Sequence, residues 1–314
     1  MNAQPALGRD LTDLARLGAL DRVVGRDLEL DEIVRVLCRR TKSNPLLLGE
    51  PGVGKTALVE GLAQKLLEPE CPPLLRGRRL LELELGSLLA GTQFRGDLEK
   101  RLQDFVHEAK RDRSIVFIDE IHLLVLAGKG SGIDVANLLK PILARGEVPC
   151  IGATTTAESA EMFRADPAME RRFQVVTVDE PPPQMVRAIL LTTKAALEKH
   201  HRVEIDESVI DAALEASVQS GGRRNPDRAI DILEDACARG QLDFSRQAGA
   251  GNSEEKSEAT LAAERELADA AASLDLLRHV RAREALEKTT AERAQKNQGR
   301  NEIHRIITVA HLRR

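Results

Sequence analysis

From about residue 22 to residue 178, short apolar runs alternate with stretches whose apolar residues recur every three or four positions. Leu46-Leu47-Leu48 is a run of the kind a strand buried on both faces requires. Leu58, Leu62 and Leu66, spaced by four, line one face of the helix predicted to follow. Leu81, Leu83 and Leu85 alternate with Glu82 and Glu84, which predicts a half-exposed strand near a sheet edge. Leu98, Leu102, Phe105, Val106 and Ala109 mark another helix. Ile115 to Ile118 reads as a buried central strand, Cys150 to Thr155 as a further one, and Val175 to Val178 as the last. Strands alternating with amphipathic helices predict an α/β domain built on a parallel sheet.

Pro181-Pro182-Pro183 ends this pattern and helical periodicity takes over. The organisation expected is a leader over 1–21, a large α/β domain over 22–180 and a small all-helical domain over 181–241. A flexible Gly- and Ser-containing linker is expected over 242–258, then a helical or short coiled-coil extension over 259–297 and a tail over 298–314.

Composition removes several alternatives. The 46 basic and 50 acidic residues leave a net charge of −4, with no basic stripe or recognition helix to suggest a nucleic-acid partner. The four cysteines are far apart and form no C-x-x-C pair, which fits a reducing cytoplasm better than a disulfide framework. No apolar run has the length of a membrane span, so neither membrane nor signal segment is expected. Aromatic residues are 2% of the chain, with six Phe and neither Trp nor Tyr, so an aromatic in a loop needs a reason.

The chemistry is concentrated in two segments. Gly49-Glu50-Pro51-Gly52-Val53-Gly54-Lys55-Thr56, followed by Ala57, is a complete G-x-x-x-x-G-K-[ST] phosphate-binding loop between a strand and a helix. Backbone N–H groups and the positive end of the helix cradle phosphate oxygens there, and Lys55 neutralises the β/γ-phosphates. Thr56 is a candidate Mg²⁺ ligand. Ile115-Val-Phe-Ile-Asp-Glu120 is an apolar strand ending in adjacent carboxylates: Asp119 suits the Mg²⁺ shell and Glu120 suits a base for an attacking water. ATP hydrolysis is the expected reaction.

Further segments carry a family resemblance over about three-quarters of the chain. They include Val23-Val-Gly-Arg-Asp27, Arg39-Arg-Thr-Lys-Ser-Asn-Pro45, Ala90-Gly-Thr-Gln-Phe-Arg-Gly-Asp97 and Phe117-Ile-Asp-Glu-Ile-His122. Gly152-Ala-Thr-Thr155, Glu170-Arg-Arg-Phe173 and Pro226-Asp-Arg-Ala-Ile-Asp231 continue the set. Together they resemble the first ATPase module of the Clp unfoldases of the AAA+ superfamily (ClpA, ClpB, ClpC and ClpV). The resemblance implies a P-loop AAA+ parallel-sheet sandwich domain, a helical lid and a C-terminal helical extension. It also implies a module without the family's N-terminal adaptor domain and second ATPase ring.

The same resemblance implies roles for individual residues. Thr155 is the sensor that places the attacking water. Arg171 and Arg172 are arginine fingers that reach the neighbouring subunit's nucleotide. Val23, Val24 and Gly25 pack on adenine, and Arg228 occupies a sensor-two-like place. Gln93, Phe94 and Arg95 belong to the loop that lines a central pore and grips a threaded polypeptide, although the family usually has a basic residue and Tyr where this chain has Gln93 and Phe94. Leu126-Ala-Gly-Lys-Gly-Ser-Gly132 resembles a second pore loop.

The expected assembly is a cytoplasmic homo-hexamer that uses ATP and Mg²⁺, acts on unfolded or aggregated protein substrates, and has a peptidase or co-chaperone as a candidate partner. The rival expectation is a single-ring regulatory or scaffolding module whose nucleotide state controls partner binding or oligomerisation without threading.

Overall fold

The computed structural model describes residues 8–84, 95–123, 148–219 and 224–253, together with 262, 264–266, 285, 288 and 306–308. Two compact units partition the chain, one holding residues up to Thr193 with Ser217–Ile230, the other Lys194–Ala216 with the residues from Asp231 on.

In the first unit a six-stranded sheet has the order β1-β3-β4-β5-β2-β6, with β1 Gly8–Asp10, β2 Asn44–Leu48, β3 Leu80–Leu83, β4 Ile115–Ile118, β5 Cys150–Thr154 and β6 Phe173–Thr177. β1 is antiparallel to β3, and every other ladder in this sheet is parallel. Because side chains alternate along a strand, each central strand feeds two cores. Leu47, Ile115, Phe117, Ile151 and Ala153 face one, packed with Ile33 and Val36 of α2 (Asp27–Leu37) and Leu58 and Leu62 of α3 (Lys55–Lys65). Leu46, Val116, Ile118 and Cys150 face the other, packed with Leu102 and Phe105 of α4 (Arg95–Arg111) and Met162 of α5 (Thr156–Ala165). Each buried Leu, Ile, Val, Phe or Met among them contributes about 1.5–3 kcal/mol, so two-sided burial fixes the register of the strands that carry the site.

The leader expected over 1–21 is instead part of this sheet from Gly8 onward. Gly8, Arg9 and Asp10 pair with Leu83, Glu82 and Leu81. α1 (Leu11–Arg16) begins at Asp10, whose carboxylate accepts from the N–H groups of Thr12 and Asp13. Thr12 Oγ1 accepts from Leu80 N at 2.7 Å, and Asp10 Oδ2 pairs with Arg79 Nε at 2.6 Å. β3 is therefore not the half-exposed edge strand that its Leu/Glu alternation suggests. All four of its residues are buried, and Glu82 is satisfied by Arg9 at 2.6 Å.

After β5, α5 and the short α6 (Pro167–Glu170) lead into β6, and α7 (Pro183–His201) follows the proline run. The second unit contains the end of α7, β7 (Glu204–Ile205), most of α8 (Glu207–Gln219) and α9 (Asp227–Ser253) from Asp231 on. Its core includes Leu197, Ile205, Val209, Leu233, Ala236 and Cys237. β7 pairs in parallel with β8 (Ile306–Ile307), which places part of the expected tail in a two-stranded sheet. The linker expected over 242–258 is helical through Ser253 as the continuation of α9. Extending a formed helix needs no new nucleus, and this offsets the cost of about 1 kcal/mol for each glycine. Most of the extension expected over 259–297 lies outside the described residues.

Candidate nucleotide site

β2 delivers the chain into the phosphate loop. Gly52 and Gly54 adopt φ values of 87° and 95°, which side-chain-bearing residues rarely tolerate. A Cβ on Gly52 would stand 2.9 Å from Arg224 O and from Asp227 Cβ. That closeness follows from two backbone bonds: Arg224 N donates to Pro51 O at 3.3 Å and Asp227 N to Gly52 O at 3.2 Å. Gly54 is the N-cap of α3 and supplies no capping side chain, so the first N–H groups of the helix remain for an anion. Lys55 Nζ donates to Gly49 O at 2.7 Å and to Glu50 O at 3.2 Å, closing the loop on itself. Burial lowers the Lys55 pKa, while Asp119, Glu158, Glu50 and Glu120 act against that shift.

The end of β4 lies across the cleft. Thr56 Oγ1 donates to Asp119 Oδ2 at 2.9 Å, and Asp119 Oδ1 accepts from Glu120 N at 2.9 Å. Glu120 has φ 49° and is exposed, so its carboxylate is presented at the cleft rather than folded into the sheet. A left-handed conformation at a non-glycine residue costs about 1–2 kcal/mol, strain of the kind that marks functional positions.

β5 closes the third side. Thr155 caps α5 in a reciprocal capping box: its Oγ1 accepts from Glu158 N at 3.3 Å, and Glu158 Oε2 accepts from Thr155 N at 3.0 Å. The Thr155 hydroxyl also faces the Glu158 carboxylate, so the two side chains hold each other at the end of β5. Glu158 Oε2 also accepts from Thr154 Oγ1 at 3.0 Å, and Thr154 Oγ1 lies 2.9 Å from His122 Nδ1. Burial raises the Glu158 pKa, but these hydrogen bonds and His122 outweigh it, leaving the carboxyl below its ordinary value.

Lys55, Thr56, Asp119, Glu120, Thr155 and Glu158 all line one cavity of about 410 Å³. A second cavity of about 160 Å³ shares Gly54, Ala57, Pro226 and Ile230 with it and extends past Val23, Val24 and Val53. Gly25 does not line either cavity; its Cβ position is 2.8 Å from Met185, a contact that only glycine at φ 74° accommodates. Buried Arg26 holds this entrance in place by donating to Val53 O and Asp179 O, both at 2.9 Å, and pairing with Glu29 at 2.6 Å.

Besides Gly25, Glu50 and three arginines expected at the site stand outside both linings. Arg171 and Arg172 lie in the turn between α6 and β6, with Arg171 exposed. Arg228 directs Nη1 to Ser217 O at 2.6 Å, tying α9 to α8, while its neighbours Pro226 and Asp227 meet the cavity. Gln93 and Phe94 lie outside the described residues, as does the segment 126–132, and Arg95 is described only as the first residue of α4. Conversely, Glu158 and Ile230 line the cleft although the sequence pattern assigns them no role in it. Thr155-x-x-Glu158 is a capping-box signature, and that signal locates Glu158. Among the described residues no helix is long and apolar enough to cross a membrane.

Residues 45–179 match the model of the ATPase family associated with various cellular activities (AAA), and residues 184–305 match the AAA lid domain. The chaperone protein ClpB of Vibrio vulnificus (strain YJ016) is 49% identical over 245 residues, 76% of this chain and 29% of the relative. The ATP-dependent Clp protease ATP-binding subunit ClpC of Staphylococcus aureus (strain USA300) is 47% identical over 240 residues, again 76% of this chain and 29% of the relative. Among solved structures, Hsp104 with ATPγS and FITC casein in its closed state aligns with a TM-score of 0.71 at 41% identity, covering 76% of this chain and 42% of that one. The chain thus spans less than a third of the length of these curated relatives. An AAA domain followed by an AAA lid, with sequence identity to ClpB and ClpC across both, means that this chain belongs to the Clp-type AAA ATPases.

Proposed function

We propose that this module binds ATP in the cleft between the phosphate loop and β4, hydrolyses it, and uses the cycle within a homo-hexameric ring to pull on unfolded or aggregated protein substrates. The observation that carries the reading is the Thr56–Asp119 hydrogen bond, which sets a helix N-terminus, a lysine and two oxygen donors around one cavity that Glu120 also lines. The triphosphate replaces Gly49 O and Glu50 O as the partner of Lys55 and takes the free N–H groups of α3. Thr56 Oγ1 and Asp119 Oδ2 are adjacent hard oxygen donors, a set that fits Mg²⁺, and these two residues would hold it. When bound, that ion neutralises charge on the β/γ-phosphates. Glu120 orients the attacking water and accepts its proton, and Thr155 donates its hydroxyl toward the same water.

Arg171 and Arg172 act in trans. Their place outside their own cleft supports this, because a finger in trans has no reason to line its own site. Phe94 with Gln93 and Arg95 grips the threaded chain, Val23, Val24 and Gly25 hold the adenine end, and Arg228 acts through the lid. The setting proposed is cytoplasmic, with a peptidase or co-chaperone as further partner. Solution mass with and without ATP, combined with ATP turnover in the presence of an unfolded substrate, tests the reading. Assembly with ATP, turnover stimulated by substrate, and loss of turnover in Arg171→Ala/Arg172→Ala are expected. Turnover by a monomer that ignores both changes would refute it.

A further inference from the structure

Beyond the phosphate cradle the cleft continues into a slot walled largely by apolar side chains, including Val23, Val24, Val53, Ala57, Ile189 and Ile230. Most polar groups bordering it are already occupied. Arg26 is held by Val53 O, Asp179 O and Glu29. The hydroxyls of Thr192 and Thr193 donate to Ala188 O and Ile189 O within α7, each at 3.0 Å. Asp21 and Arg22 are exposed. Glu60 is different. It is half-buried, it lines the slot, and among the described residues no group hydrogen-bonds to its carboxylate. It follows Ala57 by three positions on α3, so it shares that face and stands about one turn farther from Lys55 and Thr56. Burial pushes its carboxyl above the ordinary value, with Glu82 and Asp21 adding to the shift and Arg9 opposing it.

Water can hydrate this half-buried carboxylate in the free chain, but a ligand that fills the slot displaces that water and must then supply a donor. A purine nucleotide carries its 6-substituent on the edge away from the sugar, and with its phosphates at the start of α3 its base would lie in the slot that Glu60 lines about one turn farther along that helix. We propose that Glu60 selects the base: its carboxylate accepts a hydrogen bond from a 6-amino group, as in adenine, and repels a 6-oxo group, which sets acceptor against acceptor. The proposal rests on the reading of the cleft as a nucleotide site and adds to it a residue that determines specificity.

The test compares ATP, inosine triphosphate and inorganic tripolyphosphate as competitors for a fluorescent ATP analogue on the whole chain. Tripolyphosphate has no base, so it reports the phosphate cradle alone. The wild-type chain is expected to prefer ATP over inosine triphosphate by about ten-fold or more, the scale of a buried polar mismatch. In Glu60→Gln the amide can donate as well as accept, so the preference falls to nearly one-fold while tripolyphosphate competes as before. Glu60→Asp keeps the charge but withdraws it, and an intermediate preference is expected. It also carries the test if Glu60→Gln fails to bind tripolyphosphate. An unchanged ATP preference in these variants, or no preference in the wild type, overturns the role of Glu60 while leaving the cradle intact. Failure of tripolyphosphate and ATP alike to displace the analogue from the wild type overturns the nucleotide-site reading beneath it.

Discussion

The Thr56 hydroxyl donates to Asp119 Oδ2 at 2.9 Å and so joins the first turn of α3 to the end of β4. Neither segment alone makes a site: the phosphate loop offers donors without a metal ligand pair, and β4 offers carboxylates without a cradle. Thr56→Ala is expected to weaken Mg²⁺-dependent ATP binding by about ten-fold, the scale of one charge-assisted contact. Thr56→Ser restores it, and chelating the metal brings wild type and Thr56→Ala to the same affinity. Calorimetric titration with and without Mg²⁺ measures all three.

Lys55 supplies a pH dependence. Burial lowers its pKa below 10.5 in the free chain, and bound phosphate oxygens raise it again. ATP binding therefore takes up a proton between the two values, and affinity is expected to fall as pH rises through the lowered free-state value. Lys55→Arg, which stays protonated, should flatten the alkaline limb of the binding curve.

Glu158 links Thr154, Thr155 and His122 through hydrogen bonds of 3.0 Å to the first two and a 3.3 Å approach to the third. Glu158→Ala releases the capping box and the lateral hold on Thr155 together. The expected result is a fall in kcat of about ten-fold with little change in KM, since the role proposed for Thr155 is on the water rather than on ground-state binding. Steady-state ATP turnover separates the two parameters.

Asp10 anchors β1 and α1 to β3 through Arg79 and two backbone N–H groups. Asp10→Ala should lower stability by about 1–3 kcal/mol through the lost cap and the broken ion pair. Burial acts to raise the Asp10 pKa, but Arg79 and the bonds from Thr12 and Asp13 hold it below 3.8. This contribution is therefore fully present above the ordinary value and lost as pH falls through the depressed one. Urea denaturation at pH 7 and at successively lower pH should show the gap between wild type and Asp10→Ala closing below about pH 4.

The reacting half of the cleft was legible in the sequence because its geometry is imposed locally. Gly52, Gly54, Lys55 and Thr56 are fixed by one turn, and Asp119 and Glu120 by the end of one buried strand. β1 was not legible, because Gly8-Arg9-Asp10 carries no apolar alternation and becomes a strand only through Glu82, Arg79 and Thr12. The edge reading of β3 failed for the same reason, since Arg9 makes Glu82 a buried residue. The helical course of α9 through Gly249 and Gly251 was hidden by composition, because glycine marks a linker only where no helix is already propagating. Pro226 and Asp227 reach the cleft through backbone bonding of their segment to the phosphate loop, a contact without side-chain pattern.

The central claim is that Glu120, held at φ 49° beside Asp119, is the residue that turns a nucleotide-binding cleft into a hydrolytic one. Turnover of saturating ATP by Glu120→Gln, measured alongside its ATP affinity, tests this most directly. The account predicts near-wild-type affinity with turnover reduced by about a hundred-fold or more, as expected when the group that activates water is removed. Undiminished turnover in Glu120→Gln would contradict it.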